Sequence, residues 1–210
     1  MSENPKPKAK TQLRPSSVIA AGYALMAAGL VGVLTINGTS QTPQLVQAAV
    51  AALIIVGLLL SMAGILKLRS EFDRTHARVR NGLFMHGSAL VILLLGVALT
   101  VVFSSLSGFL AGMAFLVTSG ILAFIGILTL RKNYISNSTS KHKKIDYLLF
   151  GTILILAGVG VIMVSNIATL YTISQLENTV YVDIGATFSA YGCVITAYSF
   201  LNFHRRFYER

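Results

Sequence analysis

Residues 64–69 read GILKLR and residues 126–131 read GILTLR. In both places a long apolar run stops at a cluster of Lys and Arg. Working outward, no Lys, Arg, Asp or Glu stands between Arg14 and Lys67, and none between Arg80 and Arg131. Shorter charge-free stretches run from Asp146 to Glu177 and from Asp183 to Arg205. A helix needs about 20 apolar residues to cross the roughly 30 Å hydrocarbon layer. The two long stretches therefore hold two spans each, and the two short ones hold one each. The predicted fold is all-α, with six transmembrane helices near 17–36, 44–66, 83–103, 108–130, 147–166 and 180–202. Strands of a membrane barrel alternate apolar and polar residues, whereas these runs are apolar all round. No charged face is left to solvate six such helices in water.

The distribution of charge sets the orientation. The chain of 210 residues carries a net charge of +10, with 17 Lys and Arg. Lys6, Lys8, Lys10 and Arg14 precede the first span, and Lys67, Arg69, Arg74, Arg78 and Arg80 lie between the second and third. Arg131, Lys132, Lys141, Lys143 and Lys144 lie between the fourth and fifth, and Arg205, Arg206 and Arg210 follow the sixth. With six spans, all of them fall on one side. The positive-inside rule makes that side cytoplasmic, with both termini on it. Basic segments so placed face anionic lipid headgroups, each charge contributing about 1 kcal/mol near the surface. This accounts for the net charge without nucleic acid. Residues 1–15 read as a basic, apolar-poor tail, residues 16–204 as one transmembrane domain, and 205–210 as a second tail. The first apolar run is too long for a cleaved signal, and a retained first helix makes the charge topology work. Pro43 suits the opening of the second helix, where its missing N–H costs nothing.

Aligning Gly64 with Gly126 also brings Gly192 into line, and seven positions earlier stand Gly57, Ser119 and Gly185. Gly32-Val33, Gly96-Val97 and Gly160-Val161 recur at a constant spacing in the odd-numbered helices. Together these describe three tandem helical hairpins, over about 17–69, 83–131 and 147–204. Two helices per unit return each unit to the same side, so the units are parallel and could be related by a pseudo-three-fold axis along the membrane normal. Inverted-repeat transporters with broken helices are built differently.

The stretches ALMAAGLVGVL, IIVGLLLSMAGILKL, LVILLLGVALTVV, LVTSGILAFIGILTL, LILAGVGVIMV and DIGATFSAYGCVITA carry a glycine-marked hairpin pattern over about 18–202. In this the chain resembles the HdeD-type acid-resistance membrane proteins. The resemblance implies six spans and an association with acid stress. It implies no catalytic residues.

Gly22 and Gly29, Gly57 and Gly64, Gly151 and Gly158, and Gly185 and Gly192 are each seven apart, as are Gly112, Ser119 and Gly126. Seven residues is nearly two turns, so each set makes a narrow groove on one helix face. Lipid supplies no hydrophobic drive for association, so close approach at small residues has to supply it. Helix packing is the expected role, with a small-residue pore as the alternative.

Intramembrane ionisable residues are candidates for function. His86, a few residues into the third span, is expected to touch headgroups or water, with proton relay as the functional alternative. Asp183 lies near the outer end of the sixth span and, with Glu177, makes up the charge of the outer face. Asp183, Thr187, Tyr191 and Tyr198 fall on one stripe of that helix, and Gly185, Ser189, Gly192, Thr196 and Ser199 on another beside it. A carboxylate facing the bundle would titrate during acidification; one wetted at the outer interface would not need a role.

Several chemistries find no residues. Bis-histidine haem ligation needs two facing intramembrane histidines, and zinc wants clustered ligands, but His76, His142 and His204 are scattered. Cys193 has no cysteine to pair with. No cofactor, metal or catalytic residue is expected. The expected function is that of a non-enzymatic protein of a prokaryotic cytoplasmic membrane, related to acid or envelope stress. The alternatives are a substrate-capturing subunit of an importer, docking a partner helix on Ala20, Ala24 and Ala28, or an accessory subunit of a larger membrane complex. Its partners are the lipid bilayer, a second copy or another membrane protein, with no nucleic acid.

Overall fold

The computed structural model describes residues 14–37, 43–72, 77–102, 106–134, 142–169 and 175–204. The tails 1–13 and 205–210, Arg74, His76 and Lys141 lie outside these. The described residues form six helices: α1 Pro15–Asn37, α2 Gln44–Ser70, α3 Ala77–Val102, α4 Leu106–Tyr134, α5 His142–Thr169 and α6 Gln175–His204. Each is long and apolar enough to cross a membrane, and the protein is an integral membrane protein. No described residue is in a strand, and none has a positive φ.

The helix starts follow proline chemistry. Pro43 stands directly before α2, and its carbonyl accepts the Val46 N–H at 2.9 Å. Pro15 was expected in the tail. It is instead the first residue of α1, where a missing N–H costs nothing, and it is buried. The third helix begins at Ala77, six residues before the predicted apolar edge, because a terminal turn carrying Arg78 and Arg80 can stay helical at the membrane surface. At the other end of α2, Ser70 donates to the Lys67 carbonyl at 2.7 Å. Lys67 and Arg69 in that last turn complement the negative end of the helix dipole.

The helices pack in antiparallel pairs, α1 on α2, α3 on α4 and α5 on α6, and α1 also packs extensively on α6. The joints α2–α3 and α4–α5 are light by comparison. The six helices therefore close a ring that is not three-fold in its packing, since the first and third pairs are fused while the second is lightly held.

The core is not central. Ile19, Tyr23, Ile65, Leu83, Leu130 and Phe200 are almost fully buried, and all belong to the half of the bundle nearest Arg14, Lys67, Arg69, Arg78, Arg80 and Arg131. At the far end of α2, by contrast, residues 43–49 are all exposed. The largest buried side chains thus gather at the basic end, while the first turns of α2 are exposed.

Candidate functional site

Each antiparallel pair is closed by a seam of small residues that step by seven in opposite directions along the two helices. A methyl group on Gly22 would lie 2.5 Å from the Gly57 carbonyl oxygen, and one on Gly57 would lie 2.6 Å from that of Gly22. Gly82 meets Gly126 in the same reciprocal way, at 2.9 and 3.0 Å. Gly151 meets Gly192 at 2.9 and 2.6 Å, and Gly158 meets Gly185. Gly64 abuts Pro15 and Ile19, Gly29 abuts Val50 and Ile54, and Gly96 abuts Gly112.

Hydroxyl groups complete the seams. Ser119 donates to the Ala89 carbonyl at 2.7 Å, and Ser165 donates to the Asn178 side-chain oxygen. Ser61 and Ser189 reach the carbonyls of Ile19 and Ile155 at 3.4 Å. All ten glycines that the sequence sets seven apart sit on these seams. Close backbone approach is how helices gain packing energy where lipid gives no hydrophobic drive.

The odd-helix glycine match does not hold in space. Gly96 lies on the α3–α4 seam and Gly32 touches Val50, whereas a methyl on Gly160 would meet nothing within 4 Å. Gly160 instead borders two apolar grooves. One, of about 350 Å³, lies between α4 and α5, with Gly120, Phe124, Leu156 and Met163 in its walls. The other, of about 630 Å³, lies beside it under Val164 and Tyr181.

His86 is where the structure departs most from expectation. It does not touch the interface. It is 3% exposed, and its Nε2 lies 2.7 Å from the Tyr23 hydroxyl of α1. Its ring stacks on Tyr23 at 6.3 Å and tilts against Phe200 of α6 at 6.1 Å. This trio brings α3 against α1 and α6, across the middle of the ring. Nδ1 of His86 is buried and has no hydrogen-bond partner. Cys193 belongs to the same buried cluster as Tyr23 and Phe200.

Two charge contacts tie the light joints at the same basic end. Arg69 of α2 lies 4.6 Å from the centre of the Phe84 ring of α3. Arg131 of α4 pairs with Asp146 of α5 at 3.1 Å, both about half exposed. The sequence offered no signal for Tyr23 or Phe200 as partners of His86, because both read as ordinary apolar-span residues.

The two stripes of α6 have opposite fates. Gly185, Ser189, Gly192, Thr196 and Ser199 are buried. Thr187, Tyr191 and Tyr198 face outward, and Asp183 is partly exposed with its carbonyl accepting the Thr187 hydroxyl at 2.8 Å. The described structure therefore does not bring Asp183 and His86 together. Glu177 lies on the α6 backbone, and its side chain is outside the described set. The alanine face proposed for docking is split: Ala20 is buried, while Ala24 and Ala28 are exposed.

Among the described residues, no group of three or more His, Cys, Asp or Glu could hold a metal ion. No family model, no curated protein and no solved structure matches the chain.

Proposed function

We propose that this is a non-enzymatic, multi-pass protein of a prokaryotic cytoplasmic membrane, with both termini cytoplasmic, that responds to acid or envelope stress. The reading holds that its three antiparallel helix pairs are tandem repeats of one hairpin. The equivalent seams, and the basic residues gathered at one end, support this. The HdeD-like hairpin pattern of the sequence supports the stress role.

The observation that carries the reading is the His86–Tyr23 pair. Histidine is the side chain whose ordinary ionisation falls in the range of mild acidification. In its neutral form His86 shares one hydrogen bond with Tyr23. Protonated, it has two N–H donors and a charge, and the core offers its Nδ1–H no acceptor. Accommodating that charge requires the core to admit water. Tyr23 is the titratable group hydrogen-bonded to it, and Cys193 belongs to the same buried cluster. Because α3 and α4 are lightly held on either side, loosening this contact frees the second pair from the fused first and third.

The test is acid challenge of cells carrying the native chain, His86→Gln or Asp183→Asn, with survival and cytoplasmic pH as readouts. Glutamine can keep a hydrogen bond to Tyr23 but cannot be protonated, so His86→Gln is expected to lose the response while Asp183→Asn keeps it. Unchanged survival with His86→Gln would remove His86 from the account. A transport or accessory-subunit reading is favoured by the exposed Ala24 and Ala28 on α1, which suit close approach of a partner helix. Co-purification of an ATPase module with the native chain, lost on Ala24→Leu, would favour it.

A further inference from the structure

The sixth helix is the least apolar span, with a mean hydropathy of 1.3 where the other five lie between 2.0 and 2.7. Its polar seam against α5 accounts for only part of this. The rest is on the outward face, where Ile184, Thr187, Tyr191, Val194, Tyr198 and Leu201 follow one another at steps of three and four and are all exposed. That spacing is the one by which two helices mesh along a left-handed seam.

Tyr191 stands out on this face. It lies near the middle of the span Asn178–Asn202 and is 65% exposed. Elsewhere, outward hydroxyls are returned to their own helix: Thr35 to Gly32, Thr118 to Ala114 and Thr187 to Asp183. A phenol is too long to bend back in this way, and Tyr191 has no hydrogen-bond partner among the described residues. In hydrocarbon there is no water to take its place, so an unpaired hydroxyl at that depth is costly.

We propose that this face of α6 is a self-association surface, occupied by α6 of a second copy of the chain. The chemistry of the face selects that occupant. All copies carry the same charge asymmetry and insert in the same sense, so two neighbours run parallel about an axis along the membrane normal. Like residues then meet at like depth. A phenol both donates and accepts, and the Thr187 oxygen, which donates to Asp183, still has lone pairs to accept. Tyr191 of each copy can therefore donate to the Thr187 oxygen of the other, so the face satisfies itself. Val194 sits between the tyrosines and supplies the apolar contact. The proposal rests on membrane insertion and not on the stress reading.

The experiment uses the purified full-length chain in liposomes. In a Cys193→Ser background, Val194→Cys is expected to oxidise to a dimer, while Val117→Cys on the outward face of α4 stays monomeric. Independently of any cysteine, the monomer–dimer equilibrium of the native chain is measured against protein-to-lipid ratio. Interhelical hydrogen bonds in membranes are each worth about a factor of three. Losing two related by symmetry, Tyr191→Phe should weaken the dimer about ten-fold. A native chain that stays monomeric at every ratio would overturn the proposal, as would equal cross-linking at 117 and 194. An unchanged equilibrium in Tyr191→Phe would overturn the assigned role of the hydroxyl, and with it the choice of occupant.

Discussion

Gly158 and Gly160 are two residues apart on α5, and alanine at each is predicted to act in opposite directions. A methyl on Gly158 would lie 2.7 Å from the Ser189 backbone nitrogen and would also strike the Gly185 carbonyl oxygen. Real Cβ atoms essentially never come within 3.0 Å of such atoms, and the obstacles here are backbone, so α5 and α6 have to separate. Overpacking of this kind costs about 1–3 kcal/mol. The seam magnifies the effect, because a gap of about 0.5–1 Å forfeits a quarter to a half of each dispersion contact along it.

At Gly160 the added methyl meets nothing within 4 Å, and the helical backbone suits alanine. There the substitution is expected to stabilise by about 0.4–1 kcal/mol, by restricting the unfolded chain. At about 2–4 °C per kcal/mol for a chain of this size, Gly158→Ala should melt several degrees below the native protein and Gly160→Ala slightly above it. Thermal unfolding in one detergent, following loss of helical circular dichroism, gives the comparison. Equal shifts for the two variants, or a larger loss at Gly160, would refute the seam geometry.

Four further outcomes follow from the same structure. Tyr23→Phe removes one buried hydrogen bond and leaves His86 otherwise packed, so it should cost about 0.5–1.5 kcal/mol in denaturant unfolding. His86→Ala also opens a cavity in the core and should cost more. Arg131→Gln should change stability by no more than about 1 kcal/mol, and less in high salt, because the pair with Asp146 is half exposed. Single cysteines at Arg14 and Pro43 should label from opposite sides of a sealed membrane, and labelling of both from one side would overturn the six-span topology.

Much of this was legible in the residues because the bilayer imposes rules that a sequence cannot evade. Charge-free runs had to be helices, and their ends had to fall at Lys and Arg. Glycines seven apart were expected to be packing seams rather than a pore lining, since little else holds helices together in lipid. What failed was register. The matched Gly32, Gly96 and Gly160 looked equivalent by spacing, yet only Gly96 lies against a facing glycine across its pair. Glycine-valine pairs are common in apolar spans, and spacing does not say which residue faces which.

The depth of His86 was hidden for a related reason. Its distance from Arg80 suggested the interface, but whether a residue at that height meets water depends on what stands beside it. Tyr23 and Phe200 come from the first and last helices, and only the packing of α1 on α6 brings both to His86. Likewise, α6 carries two polar stripes, and its neighbours decided which was buried. By itself the sequence determined six apolar spans and the small-residue faces able to approach closely, because those depend on local hydropathy and residue size. The tertiary structure alone decided which faces met, that the second pair is lightly held, and that the intramembrane histidine is enclosed, because those depend on contacts between residues far apart in the chain.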